Sequence, residues 1–113
     1  MNAELKELFG DCLYVKSKPI PVTHLKYDGP EKTYIVWSIV DTELFYADDV
    51  PVAKFCTVDI DIYSVRNYKD VVTEIKKIMQ KNDWIWTDES PEMYETDTGL
   101  YHLCISFQKE GAI

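Results

Sequence analysis

The chain has 113 residues, with twenty acidic side chains against twelve basic ones, a formal net charge of -8 and a pI near 4.6. That length predicts a single domain over residues 1–113 with one core, and that charge repels nucleic acid, which excludes a dedicated DNA-binding role. No run approaches the roughly 20 apolar residues of a membrane span and the N-terminus lacks a basic-then-apolar leader, so a cytoplasmic protein with no membrane partner is expected.

In chain order, the first periodic segment is Asn2–Phe9, where Leu5, Leu8 and Phe9 fall on one side of a short helix that ends near Gly10. Lys18-Pro19-Ile20-Pro21 is extended, because proline lacks a donor and biases its neighbour away from helix, and Tyr27-Asp28-Gly29-Pro30 reads as a turn. Little else is expected before residue 33. Thr33 to Val40 is a β-branched and aromatic strand, and the following Leu44 to Val50, with Phe45, Tyr46, Asp48 and Asp49, reads as a hairpin arm or flap.

Val52 to Tyr63 alternates, which puts Cys56, Val58, Ile60 and Ile62 on a core face and Thr57, Asp59 and Asp61 on a wet one. Tyr68, Val71, Val72, Ile75, Ile78 and Met79 then make one apolar stripe on a helix from Asn67 to Asn82. Asn67 is its expected N-cap, Asp70 suits the positive end of the helix dipole, and Lys76, Lys77 and Lys81 suit the other end. Trp84-Ile85-Trp86-Thr87 reads as a short strand that pairs, across a long acidic loop, with Leu100 to Gln108. In that last strand Tyr101, Leu103, Ile105 and Phe107 oppose His102, Cys104, Ser106 and Gln108. The expected fold is α+β: a mainly antiparallel sheet of about four to five strands, flanked by an N-terminal helix and the amphipathic helix.

Chemistry-bearing motifs are sparse. A nucleophile needs a base beside it, yet His24 and His102 sit in no recognisable spacing, so no catalytic residue is assigned and His102 reads as an ordinary surface or interface histidine. Asp83, Asp88, Glu89, Glu92, Glu95 and Asp97 lack the alternating ligands and glycine turn of a calcium loop, so a solvated acidic loop with no metal and no cofactor is expected. Asp59 and Asp61 lie about 7 Å apart on one strand face, a spacing open to acid–base chemistry but better read as the polar side of a sheet. Cys12, Cys56 and Cys104 form no CxxC and read as reduced, half-buried thiols. Three tryptophans and eight tyrosines are a heavy aromatic load, and Trp86, Phe45 and Tyr94 divide evenly between core and interface readings.

The strand Val58-Asp59-Ile60-Asp61-Ile62-Tyr63-Ser64 leads through Asn67-Tyr68 into the helix Val71-Val72-Thr73-Glu74-Ile75-Lys76-Lys77-Ile78. Near the end, Met93-Tyr94-Glu95 is followed by Asp97-Thr98-Gly99 and His102. In both stretches the chain resembles small tail-completion proteins of long-tailed phages and prophages of Gram-positive bacteria, over roughly Thr33 to Lys109. The resemblance implies a non-enzymatic tail terminator or head–tail joining protein. Such a subunit forms a hexameric ring with copies of itself, stops the major tail protein from polymerising, and meets the head–tail connector or stopper protein. The location implied is the virion tail, reached from the host bacterial cytoplasm during assembly. DNA would be a passing, unbound polymer, with Asp59 and Asp61 as lumen candidates, because an acidic lumen does not hold it. Phe45, Tyr46, Asp48, Asp49, Trp86, Met93 and Tyr94 are the candidates for subunit or tail contacts. Two other classes stay open: a soluble α+β ligand-binding or regulatory domain, and an acidic inhibitor of a basic partner.

Overall fold

A computed structural model describes residues 2–66 and 68–111. Two helices and seven strands follow one another as α1 (Asn2–Phe9), β1 (Cys12–Val15), β2 (Lys18–His24), β3 (Tyr34–Ala47), β4 (Val50–Ser64), α2 (Lys69–Lys81), β5 (Ile85–Glu89), β6 (Met93–Glu95) and β7 (Leu100–Gly111). The fold is α+β, and the sheet is larger than the four to five strands expected. Its order is β1-β2-β3-β4-β7-β5, with β6 also paired to β7. Every pairing is antiparallel except β2 with β3, which run parallel through Val22↔Ile35 to His24↔Trp37.

β4 is the spine. Its alternation puts Cys56, Val58, Ile60 and Ile62 inside, as expected, with Ser64 buried after them, and it is paired on both sides, by β3 and by β7. The inward residues of β2, β3, β4 and β7 join Leu5 and Phe9 of α1 and Val71, Ile75 and Met79 of α2 in one cluster. Both helices therefore cover the same face of the sheet, and among the described residues the opposite face carries no helix. Burial of a side chain such as Ile60, wholly enclosed, contributes roughly 1.5–3 kcal/mol.

Several expectations shift. The region before residue 33 holds a hairpin, β1–β2, whose turn at Lys16 and Ser17 has positive φ at both residues (51° and 67°), the signature of a two-residue primed turn. Helix α2 starts at Lys69 and ends at Lys81; the expected cap at Asn67 lies outside the described residues, and Tyr68 before it makes no side-chain capping bond. Trp84 precedes β5 and is buried, while β5 itself is exposed throughout. No helix among the described residues is long and apolar enough to cross a membrane.

The arm is the outer half of one long hairpin. β3 and β4 stay paired from Tyr34↔Tyr63 to Ala47↔Val50, and Asp48 and Asp49 turn the chain with φ of 51° and 65°. Register shifts at Val40 and Val52 add one unpaired residue to each strand, which bends and twists the ribbon. β7 stops pairing at Lys54↔Gly111, so among the described residues Phe45 to Ala53 form a two-stranded tip beyond the core. At about 3.3 Å per residue the fifteen residues of β4 span roughly 50 Å, which accounts for the 52 Å long axis of the molecule.

Candidate functional site

The helix-free face of the sheet gathers polar and aromatic side chains from β3, β4 and β7. Register puts Asp61 opposite Cys104, Asp59 opposite Ser106 and Tyr63 opposite His102. His102 donates from Nε2 to Asp61 Oδ1 at 2.8 Å, and its Nδ1 lies 3.9 Å from Glu95 Oε2. Ser106 Oγ donates to Asp59 Oδ1 at 2.6 Å. Both lumen candidates, Asp59 and Asp61, are thus half-buried and hydrogen-bonded across the strands, and the fully wet face expected from alternation is only partly so.

Rings continue the row. Tyr27 stacks on Tyr34 at 4.5 Å between centroids, Tyr34 on Tyr63 at 4.8 Å, and Tyr63 on His102 at 4.2 Å. The cross-strand pairs among these, Tyr34 with Tyr63 and Tyr63 with His102, contribute about 0.5–1.5 kcal/mol each beyond their area. Burial, then the charges of Asp61 and Glu95, push the Tyr63 hydroxyl up to about 12. The Tyr34 hydroxyl is raised by burial and by Glu95.

Cys104 and His102 share this face two residues apart, but the arrangement opposes nucleophilic chemistry. Burial and the carboxylates of Asp61 and Asp59 push the thiol up to about 12. An activated cysteine needs the reverse: a positive or basic neighbour that favours the thiolate. His102 is engaged with Asp61 instead, and His24 stacks on buried Trp37 at 4.1 Å.

The acidic residues of the β5–β7 loop disperse into separate contacts. Glu89 pairs with Lys76 at 2.9 Å, Glu92 accepts from the Tyr68 hydroxyl, and Glu95 accepts from Thr98 at 3.1 Å. Among the described residues no group of three or more His, Cys, Asp or Glu side chains is placed to hold a metal ion.

The contact candidates separate into two regions. Phe45, Tyr46, Asp48 and Asp49 sit on the arm, where every described side chain from Thr42 to Val50 is exposed. There Leu44, Phe45, Tyr46, Val50 and Val52 leave large apolar surface in water. Phe45 meets Phe55 edge-on at 5.3 Å. Trp86, Met93 and Tyr94 lie at the far edge of the sheet, on β5 and β6, and each is also exposed. Trp86 is held in place, since its indole N–H donates to the Asp88 carbonyl at 3.1 Å and Lys76 Nζ lies 3.8 Å from its ring centroid.

One region had no signal in the sequence. Lys16, Lys18, Lys32 and Arg66 line a cleft of about 560 Å³ over apolar Ile20 and Val71, at the end of the sheet where Thr33 and Ser64 adjoin the Tyr34↔Tyr63 pair. Thr33 Oγ1 and Ser64 Oγ lie 3.2 Å apart in its wall, and the Arg66 amide donates to Ser64 Oγ at 3.2 Å. Those cations come from three segments spread over fifty residues, so only the folded sheet brings them together.

Compared with models of known protein families and with curated proteins, the chain matches none. The class that fold and faces define is a two-layer α+β protein with its helices on one side of the sheet, a polar open face on the other, and an apolar arm projecting from the end.

Proposed function

We propose that the chain is a non-enzymatic structural subunit that assembles with copies of itself. The observation that carries this reading is the arm. Two strands without a third are marginal in water on their own, and this pair exposes Leu44, Phe45, Tyr46, Val50 and Val52 together. Exposed apolar surface grouped in that way marks a contact with another protein.

Within that class, the resemblance in the strand-to-helix segment and around Met93 to His102 supports a tail-completion protein of the tail-terminator kind. Six copies would close on the last turn of the tail tube, meeting the major tail protein below and the head–tail connector or stopper above. The open face, with Asp59, Asp61 and Glu95, would turn negative charge toward a lumen through which DNA slides unbound. Phe45, Tyr46, Asp48, Asp49, Trp86, Met93 and Tyr94 would supply the contacts between subunits and with the tail.

Absolute mass by native mass spectrometry over a wide range of protein concentration tests the first step: a hexameric species that grows with concentration is expected, and a monomer throughout overturns it. Adding the chain to growing tubes of the major tail protein tests the second. Growth should stop, and tubes that keep lengthening overturn the terminator assignment.

A further inference from the structure

The arm tip and the basic cleft lie at opposite ends of the long axis. The tip ends in Asp48 and Asp49, whose carboxylates stand on a two-residue turn flanked by exposed Tyr46 and Val50. The cleft holds four of the chain's twelve basic side chains. Two acidic residues also line it, and one of these, Asp70, is paired with Lys16 at 3.0 Å. Among the described residues Lys18, Lys32 and Arg66 form no ion pair, and Arg66 is the one arginine in the sequence. In a protein of charge -8, copies repel one another except where surfaces of opposite sign can meet.

Resting on the reading of the chain as a self-assembling subunit, we propose that the Asp48–Asp49 tip of one copy docks in the Lys18, Lys32 and Arg66 cleft of the next. Charge selects the pairing: two carboxylates enter a site rich in unpaired cations, and guanidinium and ammonium groups bind carboxylate through charge-assisted hydrogen bonds. Apolar surface completes it, with Tyr46 and Val50 beside the turn and Ile20 and Val71 under the cleft. A cleft of about 560 Å³ lies within the range of sites that enclose a small ligand, so it has room for a turn. A chain cannot fill its own cleft, because the β3–β4 ribbon holds its tip at the other end of a 52 Å molecule. The contact is therefore head-to-tail, the kind that closes into a ring when the rotation between copies allows.

Two variants separate the halves of this contact. Asp48→Asn with Asp49→Gly removes both charges while installing the pair most favoured in such a turn, so the arm is kept. Lys18→Glu with Lys32→Glu reverses the cleft at two exposed positions. Circular dichroism and thermal unfolding first confirm that both variants fold as the wild type does. Native mass spectrometry of the full chain should show each variant needing at least about tenfold more protein to assemble than the wild type. Mixed one to one, the tip-less chain still offers a cleft and the cleft-less chain still offers a tip. The mixture should then form a one-to-one dimer and stop there. The proposal is overturned if either variant assembles at wild-type concentrations, if the mixture stays monomeric, or if it grows past the dimer. Loss of assembly in the cleft variant alone would mean that the cleft accepts something other than the tip. Wild-type assembly that survives both changes removes this contact and leaves the assembly reading standing, whereas a wild type that never assembles removes both.

Discussion

Alkylation of Cys104 by iodoacetamide at pH 8 should run about 50-fold slower than that of a free cysteine in a short peptide. The rise of its thiol from 9.0 to about 12 cuts the thiolate fraction at that pH by about a thousandfold. Part of the loss is regained, because a more basic thiolate attacks faster, by roughly 20-fold at a Brønsted slope of about 0.45. A reference peptide in the same tube and a peptide-mass time course give the ratio directly. Asp59→Asn removes one of the two facing charges while leaving an amide oxygen for Ser106, and it should speed the reaction; burial, the larger cause of the rise, stays in place. A Cys104 rate within about threefold of the peptide refutes the reasoning, as does an Asp59→Asn protein that reacts no faster than the wild type.

The same thiol makes stability depend on pH in the alkaline range. Its pKa in the fold lies above its unfolded value, so the contribution is complete below about pH 9 and is lost as pH climbs toward 12, when the unfolded chain gives up its proton first. Tyr63 and Tyr68, both raised to about 12, act in the same direction above pH 10. In urea unfolding, Cys104→Ser should flatten the fall between pH 9 and 11 by an amount on the order of 1–2 kcal/mol, a figure already reduced for solvent screening at a half-exposed site; parallel curves would remove the effect. Ile60→Ala should lower unfolding stability by about 2–5 kcal/mol, against no more than about 0.5 kcal/mol for Val52→Ala on the exposed arm, and equal losses would contradict the assigned core. Gly10 has φ of +62° at the end of α1, so Gly10→Ala should be destabilising by about 1–2 kcal/mol in thermal unfolding, although its Cβ would meet open space.

Alternation in β4 and β7 and the stripe on α2 were legible because each element makes its own contacts at a fixed period. Val58, Ile60, Ile62, Ile75, Met79, Leu103, Ile105 and Phe107 all lie where that period puts them. The β1–β2 hairpin was not, since its turn places Lys16 and Ser17 at positive φ without glycine or asparagine to announce it. Parallel pairing of β2 with β3 was equally hidden, as it depends on a crossover through residues 25–33. The arm was visible as a segment, but its continuity with the strand before it was not, because the expected strand stopped at Val40 and the arm began at Leu44, whereas the ribbon pairs straight through Thr42 and Glu43. Asp59 and Asp61 could be placed on one face, whereas their partners Ser106 and His102, more than forty residues away, follow only from the register of β4 on β7.

Reach in this protein is adjustable independently of its core. Beyond Lys54 the β3–β4 ribbon touches neither helix cluster nor third strand among the described residues, so its length is free of packing constraints. Side chains repeat every second residue, so adding or deleting two residues in each strand moves the Asp48–Asp49 tip by about 6.8 Å and keeps every face as it was. A single added residue per strand would roll the tip to the opposite side. Related chains built on this ribbon should therefore differ in arm length by paired residues, a ruler graduated in steps of one pleat.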